Sequence, residues 1–298
     1  MTISSENGRL QLKQLLSFIA RLNAIHQHHV GYCGEQEEEI YSTLQEEFGE
    51  SGELNRWFTV MYDQDEMVGA LGFNVDDEER AAELWGPFID AEGAEWDRMA
   101  EQLWTAGIKK IKDSVDRYFG FYNIHNQSAI KFLEAKGGVR SGDHAILRMR
   151  NADFIPDGSI SLQNMTPAYT EEFKKLHAAS FPNTYYSAEH IMQQLDENHR
   201  LFILTEQGRF TGYVYVEGDP EFKEGSIEYL AVSDQFQRKG YGRALLGQAL
   251  HYLFHNIQLE EISLCVELGN EGAIQLYRST GFDTVHKLTA LRVKSSGV

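Results

Sequence analysis

The sequence predicts a mixed α/β protein made of two similar domains in tandem. NQSAIKFLEAKGG at 126–138 and NEGAIQLYRSTGF at 270–282 share a pattern at a constant offset of 144 residues, and such a repeat indicates two copies of one domain. In both halves, apolar runs of strand length alternate with amphipathic helical segments. The chain of 298 residues is also long enough for about two domains.

The second half shows the order of its elements clearly. Apolar runs with a turn between them predict strands at 200–207 and 210–219, and helical periodicity predicts a helix at 242–256. The full predicted order is strand 159–165, helix 167–180, helix 188–198, strands 200–207, 210–219 and 226–233, helix 242–256, strand 261–268, helix 271–281 and a closing strand pair, 283–288 and 290–294.

The first half has a similar order but is expected to lack the opening strand. Its predicted elements are a helix at 10–29, strands near 57–62, 67–75 and 82–89, a helix at 94–118, a strand at 119–124 and a helix at 126–136. Asn, Asp, Pro and Gly at 150–159 predict a linker. We therefore expect a first domain over residues 1–150 and a second over residues 159–298.

The charge balance restricts the partners of the protein. Asp and Glu number 45 against 27 Lys and Arg, for a net charge of −18, which argues against broad nucleic-acid binding because that requires basic surface. Acidity is compatible with an amine substrate but most often serves solubility. The start, MTISSENGRLQLKQLL, does not resemble a signal peptide, and no apolar run reaches the roughly 18 residues that span a bilayer. The prediction is a soluble, cytoplasmic protein without membrane contact.

Cysteine and histidine residues give no indication of a metal site. Cys33 and Cys265 suggest neither a disulfide scaffold nor a zinc site, and Cys265, in an apolar run, is expected to be a buried free thiol. HQHH at 26–29 is expected on a helix, where adjacent histidines point in different directions, so we interpret it as a solvated face. The acidic run at 35–50 is interpreted as a solvated helix surface.

The stretch QFQRKGYGRALL at 235–246 combines two glycines with three basic residues. A strand is expected to end near Val232 and a helix to begin near Gly242. The first turn of a helix carries unpaired N–H groups and partial positive charge, and glycines let a ligand approach the backbone. Such a loop predicts a cradle for phosphate or pyrophosphate. The spacing fits neither the dinucleotide nor the Walker pattern, so the alternative is a flexible turn at a helix start.

Two motifs, in order, resemble those of one family. QRKGYG at 237–242, preceded by LAV at 230–232, fits Q/R-x-x-G-x-G/A, and NEGAIQLYRSTGF at 270–282 is similar to N-x-x-A-x-x-L-Y-x-x-x-G-F. Both are signatures of the GNAT superfamily of N-acetyltransferases, and the resemblance covers residues 159–298. It implies two tandem GNAT-like domains, each with a twisted, mostly antiparallel sheet flanked by helices.

The resemblance also implies acetyl-CoA, or a related acyl-CoA, as co-substrate. The backbone of Leu230, Ala231 and Val232 would pair with the pantetheine arm, and Asn270 would hydrogen-bond near that arm. The loop that would hold the pyrophosphate consists of Gln237, Arg238, Lys239, Gly240, Tyr241, Gly242 and Arg243.

Amine acetylation needs a base for the amine, donors for the oxyanion and a proton for the leaving thiolate. By the family pattern, Tyr277 would stand beside the thioester sulfur and donate that proton; the alternative is a core tyrosine. Glu228 is the predicted base, with Glu267 or a water chain as alternatives, or it is an exposed strand residue. A backbone N–H near Val232 is the predicted oxyanion donor.

The first half departs from the family pattern at its chemical positions. The offset of 144 places Trp96 at the position of Gly240 and Leu133 at that of Tyr277. Trp96 would fill the space that a pyrophosphate needs, and acidic residues around the same helix start would repel it. We therefore expect a degenerate, non-catalytic domain that is structural or forms a wall of the substrate cleft.

The predicted function is acetyl transfer from acetyl-CoA to a primary amine of a small molecule or peptide, by direct attack in a ternary complex. SFPNTYYS at 180–187 lies where family members line the acceptor pocket, so Tyr185 and Tyr186 either shape that pocket or are ordinary loop aromatics. Thiol-precursor amines, polyamines, antibiotic amines and peptide N-termini all stay open, since a fold does not name a substrate. The alternative is a non-catalytic protein that senses acyl-CoA or binds a partner, and the oligomeric state is left open.

Overall fold

A computed structural model describes residues 2–3, 11–48, 54–111, 113–156, 163–182 and 184–295. The chain forms two compact units: the first unit is Met1–His144 with His286–Val298, and the second unit is Ala145–Val285. These units differ from the predicted 1–150 and 159–298 because a strand near the end of each half contributes residues to the other unit. Residues 157–159 of the predicted linker lie outside the described residues.

Both units contain helices and strands. Up to residue 150 they are β1 (Thr2–Ile3), α1 (Leu12–Asn23), α2 (Glu37–Phe48), α3 (Leu54–Trp57), β2 (Phe58–Asp63), β3 (Glu66–Asp76), β4 (Ala81–Ile89), α4 (Gly93–Ile111), β5 (Arg117–Asn123), α5 (Gln127–Ala135) and β6 (Val139–Arg150). After residue 150 they are β7 (Gln163–Asn164), α6 (Thr170–Ser180), α7 (Ala188–Gln194), β8 (His199–Glu206), β9 (Arg209–Asp219), β10 (Glu224–Val232), α8 (Tyr241–His251), β11 (Glu261–Glu267), α9 (Glu271–Ser279) and β12 (Asp283–Lys294).

The strands of the first unit follow the order β1-β2-β3-β4-β5-β12. Neighbours are antiparallel except β4 and β5, where Ala81–Glu83 run parallel to Arg117–Phe119. Strand β1 pairs Thr2 with Tyr62, so the expectation that this half lacks an opening strand is wrong. Two residues are too few to show the alternation that identifies a strand in a sequence.

Helix α1 ends at Asn23, so the predicted helix over 10–29 is too long. The Asn23 side-chain amide donates to the carbonyls of Cys33 (2.8 Å) and Gly34 (2.9 Å), and its oxygen accepts the Val30 N–H at 2.7 Å. These bonds join residues distant in sequence and turn the chain away from the helix axis. Helical periodicity does not reveal a stop of this kind.

The strands of the second unit follow the order β6-β11-β10-β9-β8-β7. Strands β10 and β11 are parallel, whereas β9 is antiparallel to both β8 and β10. The predicted opening strand over 159–165 is described only as β7, since 159–162 lie outside the described residues. The predicted closing strand pair is one continuous strand, β12, in which Thr289 pairs with Tyr122 instead of forming a turn.

The sheet of the second unit is covered on both faces. Along β9, Val214 and Val216 belong to the apolar cluster under α8 and α9, while Tyr213 and Tyr215 belong to the cluster under α6 and α7. This alternation is expected of a strand with two buried faces. We refer to the two sides as the α8 face and the α6 face. In the described part of the chain, no helix is long and apolar enough to cross a membrane.

Candidate active site

Two parallel strands of the second unit diverge and leave one edge of β10 open. The pairing of β10 with β11 covers Glu224–Ser226, opposite Glu261–Ser263. The pairing of β10 with β9 continues to Val232, which lies opposite Gly212. Buried backbone groups need hydrogen-bond partners, so an extended ligand could take the place that β11 vacates along Leu230–Val232.

The direction of the backbone groups supports this interpretation. Ser233 donates its N–H to the Thr211 carbonyl on the β9 side, at 2.9 Å. Because successive residues of a strand direct their amide groups to opposite sides, the groups of Val232 and Leu230 point toward the open edge. The Val232 carbonyl there accepts the Gln237 side-chain amide at 3.0 Å. The Val232 N–H is therefore directed to the open edge, as an oxyanion donor would have to be.

Glu228 is the extra residue of a β-bulge. Ile227 lies opposite Val216 and Tyr229 opposite Tyr215, so Glu228 interrupts the register between β10 and β9. As a result, Ile227 packs in the α8-face cluster and Tyr229 in the α6-face cluster, although regular alternation would place them on one face. Sequence reasoning named Glu228 but could not detect the bulge, since no glycine or proline marks it.

The environment of Glu228 disfavours its charged form. Burial raises the pKa of the Glu228 carboxyl, the nearby Glu217 raises it further, and a hydrogen bond with the Ser226 side chain partly offsets both effects. A carboxyl group whose pKa is raised toward neutrality is a better proton acceptor for an amine than an ordinary surface glutamate.

The glycine loop joins the open edge of β10 to helix α8. Gly240 has φ of +87° and Arg238 has φ of +62°, a region that glycine enters at little cost. The Ala244 N–H makes the first intrahelical bond, to the Gly240 carbonyl at 3.0 Å. The N–H groups of residues 241–243 precede that bond, which makes the start of α8 a suitable seat for an anion.

Two predicted loop residues hold the loop in place. The Gln237 side-chain amide donates to the Val232 carbonyl and to the Asp234 carboxylate, both at 3.0 Å. The Tyr241 hydroxyl donates to the Glu206 carboxylate on β8. Gln237 and Tyr241 thus position the backbone, and the positive charge comes from the basic residues of the loop.

The basic and glycine residues of the loop leave room for a ligand. The Lys239 ammonium lies 5.2 Å from the centre of the Phe236 ring. A Cβ atom on Gly240 would meet nothing within 4 Å, whereas one on Gly242 would lie 3.3 Å from Leu276. The Arg243 guanidinium contacts the Ser279 hydroxyl at 3.5 Å, which brings α9 beside the start of α8.

Tyr277 lies on α9 with its side chain almost wholly buried in the α8-face cluster. Burial raises the pKa of its phenol to about 12, so the hydroxyl keeps its proton at neutral pH and can donate it. The Asn270 side chain accepts the Ala273 N–H at 3.1 Å and caps α9, just as Asn126 accepts the Ala129 N–H at 3.3 Å and caps α5. The repeated Asn therefore has a structural role in both units.

The loop beside the α6 face is held by residues that sequence analysis did not single out. His177 forms two hydrogen bonds: its Nε2 lies 2.8 Å from the Tyr186 carbonyl and its Nδ1 lies 2.6 Å from the Tyr213 hydroxyl. Because a carbonyl only accepts, Nε2 carries the proton, and Nδ1 accepts from Tyr213. The Tyr229 hydroxyl accepts the Thr184 hydroxyl at 2.6 Å and the Tyr186 N–H at 3.2 Å. Tyr186 is thus fixed over the sheet, whereas Tyr185 is 82% exposed.

Strand β11 places further polar residues on the α6 face. Leu264 and Val266 belong to the α8-face cluster, so Cys265 and Glu267 point to the opposite side. Cys265 is exposed, which corrects the expectation of a buried thiol. Glu267, the alternative base, is exposed at the end of β11.

In the first unit, the corresponding gap between strands is filled by the chain itself. Strand β12 pairs with β5 along one edge. Along the other edge of β5, β4 pairs only with residues 117–119. Past that point, the Gly31 N–H donates to the Phe121 carbonyl at 2.7 Å, and the Asn123 N–H donates to the His29 carbonyl at 3.1 Å. Residues 29–31 thus occupy the position that is open beside β10.

The offset positions of the first unit are also part of its core. Trp96 packs edge-on against Phe132 with ring centres 6.0 Å apart. Trp96 is 3% exposed and Leu133 is fully buried. Large apolar side chains therefore stand where the second unit has Gly240 and Tyr277.

His29 lies in a cluster with Glu35 and His286, contrary to the interpretation of HQHH as a solvated face. The Glu35 carboxylate is 3.0 Å from His286 Nε2 and 3.6 Å from His29 Nδ1. Burial and the neighbouring His286 lower the pKa of His29 to about 4. Sequence reasoning could not find the cluster because its members are far apart in the chain.

The side chains of His29, Glu35 and His286 are close enough together to hold a metal ion, but their polar atoms already take part in hydrogen bonds within the protein. His29 Nδ1 donates to the Asn23 carbonyl at 2.8 Å. The Asn123 side-chain oxygen accepts the His125 N–H, so the Asn123 NH₂ group faces His286 Nδ1 at 3.2 Å and donates to it. Because Nδ1 is then the acceptor, the proton of the His286 ring lies on Nε2, which faces Glu35. The rings of His29 and His286 stack 3.8 Å apart and nearly parallel, so their lone pairs do not converge on one point.

Comparison with known proteins agrees with the two motifs. Residues 165–282 match the model of the acetyltransferase (GNAT) family. An N-alpha-acetyltransferase from Sulfurisphaera tokodaii is 25% identical over 172 residues, which are 53% of this chain and 90% of that protein.

Two solved structures share the fold over nearly the whole chain. A GCN5-related N-acetyltransferase from Sphaerobacter thermophilus has a TM-score of 0.68 at 17% identity, covering 93% of this chain and 92% of that one. A tandem GNAT protein from the clavulanic acid biosynthesis pathway has a TM-score of 0.63 at 13% identity, covering 99% and 98%. The predicted tandem fold is therefore confirmed.

Proposed function

We propose that this protein, whose residues 165–282 match the GNAT family of acetyltransferases, transfers the acetyl group of acetyl-CoA to a primary amine by direct attack in a ternary complex. One observation carries the proposal: the open edge of β10 leads directly into the glycine loop at the start of α8. An elongated ligand with an anionic group along its length fits this arrangement. The backbone of residues 230–232 would hold the arm, and residues 237–243 would hold the pyrophosphate.

Glu228 is the proposed base for the attacking amine. Its bulge position and raised pKa suit a group that must accept a proton near neutral pH. Glu267, exposed at the end of β11, is the alternative base, and a water chain is a further alternative. An amine without its proton can form the new C–N bond as the C–S bond breaks.

Val232 and Tyr277 would act on the two ends of the breaking thioester. The Val232 N–H, directed to the open edge, would donate to the carbonyl oxygen as negative charge develops there. Tyr277, protonated at neutral pH because its pKa is about 12, would donate its proton to the departing sulfur. Both groups already have the protonation state that the step requires.

We propose that the first unit is non-catalytic. Residues 29–31 fill the gap beside β5, and Trp96 and Leu133 stand in its core. These features leave a structural role for the first unit, as a degenerate copy of the second.

Calorimetric titration of acetyl-CoA tests the proposed cofactor site. We expect one site per chain in the wild type and loss of binding in Gly240→Trp, because the new ring would fill the open space above the loop. Gly247→Trp is the matched control, since a Cβ atom there also meets nothing within 4 Å but the residue lies farther along α8. Two sites per chain would contradict the assignment of the first unit, and no binding to the wild type would refute the proposed function.

A further inference from the structure

A second carboxylate, Glu217, lies close to the proposed base, Glu228. Glu217 on β9 is directly opposite Ser226 on β10, and Glu228 follows Ser226 by two residues across the bulge. The bulge interrupts the ladder at Glu228, so the two residues are neighbours across the strand pair without a regular diagonal register. Burial raises the pKa of the Glu228 carboxyl, and the nearby Glu217 raises it further.

Tyrosine side chains surround these two carboxylates. The Tyr215 hydroxyl donates to the Glu217 carboxylate at 2.8 Å. Tyr229 stacks near Tyr215, with ring centres 6.4 Å apart and planes at 20°. Tyr186 is fixed by the loop contacts described above, and burial together with the negative charges of Glu217 and Glu228 raises the pKa of its phenol. The result is an aromatic wall around negative charge, which suits a cationic ligand.

The charge of Glu217 is not neutralised by the residue opposite it. His199 on β8 lies opposite Glu217, but its Nδ1 is 2.8 Å from the Asp196 carboxylate. A phenol donor such as Tyr215 stabilises a carboxylate without cancelling its charge. A protonated amine at this place would give the Glu217 carboxylate a cationic partner.

We propose that the acceptor is a primary amine that carries a second positive charge a few atoms from the reacting nitrogen. The inference rests on the proposed function: the reacting nitrogen lies at Glu228 and the second cation at Glu217. In the reaction, the first amine reaches the site after releasing its ammonium proton to solvent, and its neutral nitrogen attacks the thioester carbon. As the C–N bond forms and the C–S bond breaks, the nitrogen gives one proton to Glu228 and the departing sulfur takes one from Tyr277. Transfer of one proton from Glu228 to Tyr277 through solvent restores both groups, and the second ammonium is unchanged.

The affinity of amines for the protein saturated with CoA, which carries no acetyl group to transfer, tests this inference without turnover. Diaminobutane, with an ammonium at each end, is compared with pentylamine, which has the same length and one charge. We expect diaminobutane to bind at least about ten-fold more tightly, as one charge-assisted contact allows. Equal affinity of the two amines for the wild type would overturn the inference, and this comparison requires no variant.

Variants locate the second charge. Glu217→Gln should reduce the preference for diaminobutane to about two-fold or less, while Glu260→Gln, an exposed carboxylate paired with Lys223, should keep it. Unchanged discrimination in Glu217→Gln would contradict the assignment. If that variant does not fold, the preference of the wild type for diaminobutane over pentylamine is measured at high salt instead. Salt screens an ionic contact, so the preference should be lost, and a preference that persists would overturn the inference.

Turnover separates the inference from the proposed function and identifies the source of the amine. Thiol release is measured with diaminobutane, pentylamine and two short peptides that differ in Lys or Ala at the second position. Equal rates for all four would leave the acetyltransferase proposal intact and overturn the charge selection. Selective binding without thiol release would support the charge selection and refute acetyl transfer. A preference for the Lys peptide over diaminobutane would support the inference with a peptide as the source.

Discussion

Replacing Tyr277 by Phe should slow acetyl transfer while leaving cofactor binding intact. With a pKa of about 12, only about one phenol in 10⁵ is ionised at pH 7, so the wild-type enzyme always has the proton available. Loss of a general acid costs about 10²–10⁴-fold in rate. We therefore expect kcat to fall at least about 100-fold, with the Kd for acetyl-CoA changed by no more than about two-fold, as expected when a group acts only in the transition state.

Stopped-flow detection of the released thiol gives kcat, and calorimetry gives the Kd for acetyl-CoA. The ring of Tyr277 stays in its packing contact with Phe282, so the loss of one hydroxyl should cost about 1 kcal/mol at most and lower Tm by about 2–4 °C. Tyr252→Phe is the control, since its hydroxyl donates to the Glu197 carbonyl outside the site. An unchanged kcat in Tyr277→Phe would refute the assignment of the proton donor, and catalysis lost equally in both variants would point to a general structural effect.

Three further predictions concern Glu228, Asn270 and Gly31. Because the pKa of Glu228 is raised from 4.5, kcat/KM should fall with decreasing pH along a limb closer to neutrality than for an ordinary carboxyl; Glu228→Gln should lower the rate about 100-fold and remove the limb. The same variant should raise Tm at neutral pH; the gain should shrink as the pH falls through the raised pKa of the folded-state carboxyl and be absent below pH 4.5, where the carboxyl is protonated in both states. Asn270→Ala should cost about 1 kcal/mol in thermal unfolding through loss of the α9 cap. Gly31→Val should cost about 1–3 kcal/mol, because even a Cβ atom would lie 2.6 Å from Leu288 and Phe121, without changing the affinity for acetyl-CoA.

Each of these predictions has its own contrary outcome. A pH profile identical in Glu228→Gln and wild type would transfer the role of base to Glu267 or to water. An Asn270→Ala variant of normal Tm but much weaker acetyl-CoA binding would show that this residue acts on the cofactor and not on the helix. Weakened acetyl-CoA binding in Gly31→Val would contradict the purely structural role of residues 29–31.

Local patterns predicted most elements of the second unit, but some features depend on distant residues. Helix α9 and its cap follow from an amphipathic segment preceded by Asn270, which are neighbours in sequence. The bulge at Glu228 depends on how β10 meets β9, and nothing in SIEYLAV distinguishes it from a regular strand. His177 was missed for a similar reason: its function as a tether becomes visible only when Tyr186 and Tyr213 lie beside it.

The first unit illustrates the same limit. The sequence of the first half lacks the loop glycines, which predicts that its cofactor site is lost. That residues 29–31 fill the gap beside β5 is a property of the tertiary structure, set by bonds such as those between Asn23 and Val30. The histidine cluster likewise joins residues 29, 35 and 286, a separation that no motif spans.

Strand β12 has a consequence for biosynthesis. It pairs Leu288–Lys294 with β5, so the sheet of the first unit is incomplete until the ribosome has made the whole of Ala145–Val285. Domains commonly fold in the order in which they are synthesised, but here the second unit can close while the first still exposes the edge of β5. During translation, that unpaired edge is a place where a nascent chain could pair with the wrong strand. A chaperone that shields β5, or a ribosome that moves quickly through the last strand, would therefore favour the yield of folded protein.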